Sequence, residues 1–142
     1  MAVVPTAAAP ATTVLDPIET QDWRVLVVDD EPNLLQLARF VFSETLARIT
    51  TVEDAQAALI EVQQQPFSIA LIDVNLPGMD GWQLLERIRE IDPGLPVVVV
   101  SGYLDALDVR RHRPAAAIGK PYEARMLLET VRRVIAEHPR AD

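Results

Sequence analysis

From Arg24 onward the chain alternates short apolar runs with longer stretches in which apolar residues recur every three or four positions. Arg24 to Val28 (RVLVV), Ser68 to Asp73 (SIALID) and Pro96 to Ser101 (PVVVVS) are short and largely unbroken by polar residues. Such runs predict strands buried on both faces. Ile49 to Val52 predicts a weaker strand, and Ala116 to Gly119 a small one. Between them lie the helical patterns. Pro32 to Thr45 carries Leu34, Leu37, Ala38, Val41, Phe42 and Thr45 on one stripe, and Asp54 is placed to cap Ala55 to Gln64, which Pro66 stops. Gly81 to Ile91 turns Leu84, Leu85, Ile88 and Ile91 inward before Asp92, Pro93 and Gly94 end it. A short charged helix is expected around Leu104 to Arg111. A last one runs from Glu123 to Glu137, with Leu127, Leu128, Val131, Val134 and Ile135 apolar.

Five strands, each followed by a helix, predict an α/β fold: a parallel sheet covered on both faces, since parallel neighbours need crossover connections. In an open sheet of this kind the ligand site lies beyond the carboxyl ends of the strands. The expected divisions are a disordered Ala/Pro/Thr-rich leader at residues 1–22, a folded domain at 23–138 and a tail at 139–142. Within the leader, docking of Val14, Leu15 and Ile18 on a neighbouring surface is the alternative to disorder.

Composition narrows the chemistry. The chain has 142 residues, 49% of them hydrophobic, which suffices for one core. Thirteen basic against 21 acidic side chains give a net charge of −8, which opposes direct nucleic-acid binding. The absence of cysteine excludes disulfides, thiolate catalysis and cysteine-bound metals. With no apolar run near the ~20 residues of a membrane span and no cation before Arg24 to open a signal peptide, the expected setting is the cytoplasm.

The strand ends hold Asp29, Asp30 and Glu31, then Asp73, then Ser101 and Gly102, and last Gly119, Lys120 and Pro121. Two negative charges at ~4 Å repel by roughly 4 kcal/mol at an effective dielectric of 20, so three aspartates on one rim call for a cation. Hard oxygen donors with room for water suit Mg²⁺ or Mn²⁺. Lys120 is the only lysine in the chain, and a compact ammonium suits a single phosphate oxygen better than a planar guanidinium does. Each residue alone has a plainer role: Asp29 or Asp30 as a helix cap, Asp73 as a turn residue, Ser101 as a strand-end hydroxyl, Lys120 as a surface charge. Their meeting at one topological site favours the chemical role. His112 and His138 have no partner at ligand spacing and are expected at the surface; Trp82 is expected at the base of the third helix and Trp23 near the start of the first strand.

VVDDE at Val27 to Glu31, IDVNLPGMDGW at Ile72 to Trp82, VVVVSG ending at Gly102, and the pair Lys120 and Pro121 resemble, in order, the receiver domains of two-component response regulators. The resemblance runs from Arg24 to about Glu137. It implies a flavodoxin-like, doubly wound sheet of strand order 2-1-3-4-5. It further implies Asp73 as phosphoacceptor, Asp30 as a direct metal ligand with Asp29 acting partly through water, Asn75 as a ligand through its backbone carbonyl, Ser101 donating to the phosphoryl group and Lys120 pairing with it. The implied phosphoryl source is a histidine kinase or a histidine phosphotransfer protein. The implied output is docking onto a downstream protein by a stand-alone, CheY-like receiver, monomeric or weakly dimeric. A cis Lys120–Pro121 bond is expected as well. The pattern departs from the family in two places: the stretch from Ser101 to Lys120 is short and contains Pro114, and Ile118 stands where an aromatic is common, which points to Tyr103 and Leu104 to Arg111 as the readout. A metal-dependent aspartyl-phosphate hydrolase and a binding module with a vestigial acidic rim are the competing readings. The first needs a second acid placed to protonate the leaving group and a substrate cap, for which the residues after the leader are expected to leave no room; intact Asp30, Asp73, Ser101 and Lys120 oppose the second.

Overall fold

The computed structural model describes residues 22–43 and 45–140. The expected leader therefore lies outside the described residues except for Asp22, as do the last two residues of the tail. Five strands, β1 (Arg24–Val28), β2 (Arg48–Val52), β3 (Ile69–Asp73), β4 (Val97–Ser101) and β5 (Ala116–Gly119), form one parallel sheet in the order β2-β1-β3-β4-β5. The helices are α1 (Pro32–Phe42), α2 (Ala55–Gln64), α3 (Gly81–Ile91), α4 (Ala106–His112) and α5 (Ala124–Glu137). The expected fold class and strand order are those observed.

The unbroken apolar runs feed two cores at once. Because successive strand residues point to opposite faces, Val25, Val27, Ile69, Leu71, Val98 and Val100 pack toward Ala38, Val41 and Phe42 of α1 and Leu127, Val131 and Val134 of α5. Leu26, Val28, Ala70, Ile72, Val97 and Val99 pack toward Ala58 and Val62 of α2 and Leu84, Leu85 and Ile88 of α3. Strands β3 and β4 are buried throughout. At the edge, β2 is only half covered, which explains its weaker pattern. Trp23 is buried beside the start of β1 and Trp82 at the start of α3, both as expected.

Three expectations need correction. Helix α1 ends at Phe42 rather than Thr45 because hydroxyls compete for its last carbonyls: Ser43 Oγ donates to the Phe40 carbonyl and Thr45 Oγ1 to that of Phe42, each at 2.7 Å. Within that helix Leu35 is buried and Leu34 half-buried, a small rotation of the expected stripe. Helix α4 starts at Ala106, two residues late, because the Asp105 carboxylate accepts from the amides of Leu107 and Asp108 and so fixes the first turn.

The start of α3 is built more tightly than the sequence suggests. Asp80 and Gln83 form a reciprocal capping box, and the Gly81 amide donates to the Val74 carbonyl at 2.7 Å. A Cβ on Gly81 would stand 2.4 Å from the Asp73 carbonyl oxygen and 2.6 Å from Val74 Cα, so only glycine lets the helix sit this close to the end of β3. Gly81→Ala is expected to cost about 1 to 3 kcal/mol, read as a lower urea midpoint; an unchanged midpoint would show that the contact yields freely. Among the described residues no helix is long and apolar enough to cross a membrane.

Candidate functional site

The carboxyl ends of β1, β3, β4 and β5 bring the predicted residues together. Asp73 is the last residue of β3 and Asp29 follows β1 directly; both are buried, while Asp30 is exposed. One carboxylate oxygen from each of the three lies within 4.8 Å of the others. Backbone amides hold two of these groups: Asp29 Oδ1 accepts from the Glu31 amide at 2.9 Å and Asp73 Oδ1 from the Asn75 amide at 3.0 Å. Asn75 is thus tied to Asp73 through its own N–H, in the turn that Pro77 and Gly78 (φ 81°) carry back toward α3.

Lys120 enters from the far side. Its Nζ lies 2.9 Å from Asp73 Oδ2, 3.0 Å from Asp29 Oδ2 and 3.0 Å from Glu31 Oε1. The Lys120 amide donates to the Ser101 carbonyl at 2.8 Å, continuing the β4–β5 ladder beyond Gly119, and the Lys120–Pro121 bond is cis, as expected. Glu31, set on the rim by sequence but given no role there, is the third acid on this ammonium. Its separation of 89 residues from Lys120 left no local signal for the pairing.

Burial pushes the Asp29 carboxyl up from its ordinary value, against the opposing pull of the Glu31 amide and the Lys120 ammonium. Burial also acts to lower Lys120, but its hydrogen bonds to Asp73, Asp29 and Glu31 prevail and hold it well above the usual lysine range. Burial, with the nearby Asp29 charge, raises the Tyr122 phenol. Lys120→Met would leave Asp29 and Asp73, with side chains only 8% and 4% exposed, without their counter-ion. Its expected cost is about 3 kcal/mol in chelator at neutral pH, measured by urea unfolding; a loss well under ~1 kcal/mol, the range of exposed ion pairs, would mean the ammonium is only an exposed partner.

Ser101 is fully buried. Its hydroxyl donates to the Tyr103 carbonyl at 2.9 Å and accepts from the Tyr103 amide at 3.2 Å, a tight local turn at the start of the β4–α4 connection. Ile118, on β5, is buried in the core shared by α1 and α5, whereas Tyr103 is 75% exposed.

Three carboxylates on one ammonium, with Asp30 clustered beside two of them, leave the rim short of positive charge, and every donor in that cluster is a hard oxygen, so the set fits a small divalent cation. Residues 25–132 match the response regulator receiver domain family. The chain belongs to that family. This receiver domain is 40% identical over 117 residues to the response regulator protein FleR of Pseudomonas aeruginosa, covering 78% of this chain and 24% of FleR. It is 26% identical over 115 residues to the response regulator receiver protein CpdR of Brucella abortus, covering 79% of this chain and 96% of CpdR. The chain thus spans about a quarter of the length of curated relatives such as FleR. Among solved structures, a CheY-like receiver domain protein from Methanospirillum hungatei superposes with a TM-score of 0.77 at 28% identity, covering 82% of this chain and 95% of that one. Receiver domains are phosphoacceptors, and they bind Mg²⁺ through an acidic pocket.

His112 corrects the sequence reading. Far from standing free at the surface, its ring stacks on Trp82 with centroids 5.0 Å apart, and its Nδ1 lies 2.8 Å from Glu86 Oε2. His138 Nδ1 lies 2.8 Å from the Val134 carbonyl oxygen, one turn back along α5. Ligand spacing in sequence could not reveal the first pairing, because its partners lie on a different helix.

Proposed function

We propose that this receiver takes one phosphoryl group on Asp73 from a histidine kinase or a histidine phosphotransfer protein and signals by docking onto a downstream protein. The observation that carries the reading is the buried Asp73 carboxylate, clustered with Asp29 and Asp30 and 2.9 Å from the Lys120 ammonium. Phosphoryl transfer asks mainly for positioning and charge stabilisation, and these residues divide the work. Asp73 supplies the nucleophilic oxygen, oriented by the Asn75 amide. Asp29, Asp30 and Asp73, with the Asn75 backbone carbonyl, would hold Mg²⁺ or Mn²⁺, which supplies positive charge to the phosphoryl oxygens. Lys120 turns its ammonium from the carboxylates to a phosphoryl oxygen. The domain occupies residues 23–138, acts stoichiometrically rather than as an enzyme, works in the cytoplasm as a monomer or weak dimer, and makes no direct contact with nucleic acid.

Ser101 converts this local event into a signal. A hydroxyl has one proton to donate, so a hydrogen bond to the phosphoryl group requires Ser101 to give up the Tyr103 carbonyl it now holds. Tyr103 and the segment leading into α4 are then released. Ile118 has neither the reach of a ring nor a polar tip to exchange between buried and exposed states, so the readout runs through Tyr103 and α4, where Leu107 also stands exposed. The reading is tested by incubating the full chain with Mg²⁺ and acetyl phosphate and weighing it intact. A single adduct lasting minutes is expected; turnover of phosphate esters without an adduct would favour a hydrolase, and no change a vestigial site.

A further inference from the structure

Glu31 stands at the N-cap of α1, where its carbonyl accepts from the amides of Leu34 and Leu35 at 3.0 and 3.1 Å. A side chain at this position ordinarily turns back to the helix amides, but that of Glu31 makes no such cap. It reaches instead across the rim to the residue after β5. Among the described residues its carboxylate meets Lys120 alone, and it lies outside the cluster of Asp29, Asp30 and Asp73. That sets it apart from the two other acids on the ammonium. Asp29 and Asp73 are buried, give one oxygen each to a backbone amide and belong to the cation cluster. The Glu31 side chain is longer, 59% exposed and otherwise unengaged.

A lysine ammonium has three N–H donors. All three are taken here, by oxygens of Asp73, Asp29 and Glu31 that stand 2.9, 3.0 and 3.0 Å from Nζ. An incoming phosphoryl oxygen therefore needs one of them released. Asp29 and Asp73 are short, buried and anchored at their second oxygens, so releasing either leaves a buried carboxylate oxygen without a partner. Releasing Glu31 costs least, because its carboxylate passes straight into water. We propose that Glu31 is the exchangeable ligand of Lys120: it holds the third N–H of the ammonium in the resting protein, competes for it with the incoming phosphoryl oxygen, and so slows acceptance on Asp73. The exchange rests on the phosphoacceptor reading; the resting contact does not.

Two variants of the full chain test both parts. Glu31→Gln keeps the length of the side chain and loses its charge. Glu31→Asp keeps the charge but is one methylene shorter and suits the N-cap, so its carboxylate turns back to the α1 amides. With Mg²⁺ and acetyl phosphate, where an Asp73 oxygen displaces acetate from phosphorus, both variants are expected to form the adduct about two- to fivefold faster than wild type, the weight of one exposed ion pair. Faster labelling of Glu31→Gln alone would mean that the Glu31 charge merely repels the phosphate, and labelling of both at or below the wild-type rate would remove the competition; either result would overturn the proposal. Because Lys120 is the only lysine, protein labelled with ¹⁵N-lysine gives a single Nζ signal that reports the contact itself. In resting protein that signal should shift in both variants, with its protons exchanging faster with water than in wild type. A wild-type signal in both would overturn the resting contact. With Mg²⁺ and beryllofluoride all three proteins should give the same Nζ signal, since the third N–H then goes to fluoride in each; a persisting difference would overturn the exchange. Absence of any beryllofluoride response at Lys120 in all three would count against the phosphoacceptor reading and the exchange with it, while the resting comparison still decides the contact.

Discussion

Asp73→Asn is expected to accept no phosphoryl group while folding as the wild type does. The amide has nearly the shape of the carboxylate and keeps an oxygen for the Asn75 amide and for Lys120, which now bond to Asp73 at 3.0 and 2.9 Å. It has no carboxylate oxygen to attack phosphorus. Removing one negative charge from a crowded rim offsets part of the weakened hold on Lys120, so the urea midpoint should move little. Intact mass after incubation with Mg²⁺ and acetyl phosphate checks the first part and equilibrium unfolding the second. Full labelling of the variant at the wild-type rate would move the acceptor elsewhere.

Removing divalent cations should have an effect almost as large. Asp29, Glu31 and Asp73 share one lysine and Asp30 is clustered with two of them, and an incoming phosphate dianion adds to the same excess. A single pair of like charges at ~4 Å costs roughly 4 kcal/mol at an effective dielectric of 20, equivalent to about a thousandfold in rate if it falls on the transition state. Initial rates of adduct formation in excess chelator are expected to drop by at least about a hundredfold, and Mg²⁺ or Mn²⁺ should restore them. Undiminished labelling in chelator would mean that Lys120 alone neutralises the site.

The parts of the molecule that were legible in sequence are those written in local pattern. VVVV at Val97 to Val100 announces a strand with helices on both sides, because no residue in it tolerates water. Asp29, Asp30, Asp73, Ser101 and Lys120 were legible because strand ends converge in a parallel sheet, so four separate stretches predict one rim. What stayed hidden depends on contacts across long separations or on competition within a single turn. His112 meets Glu86 at a separation of 26 residues, and nothing near either residue records that α4 would lie with its last turn over Trp82. The end of α1 turned on the Ser43 and Thr45 hydroxyls, whose preference for the carbonyls of Phe40 and Phe42 cuts an apolar stripe that otherwise continues to residue 45. Hydrophobic period marks where a helix is favoured; side chains that compete for its backbone decide where it stops.

The central claim is that a specific carboxylate, Asp73, becomes an acyl phosphate. Borohydride reduces an acyl phosphate to an alcohol and leaves free carboxylates untouched, so it writes the phosphorylated position permanently into the chain. Wild-type protein treated with acetyl phosphate and Mg²⁺, reduced and then digested, should show homoserine at position 73 and aspartate at positions 29 and 30. Aspartate retained at 73 with homoserine at 29 or 30, or no reduction anywhere in protein that carries the phosphate mass, would contradict the account.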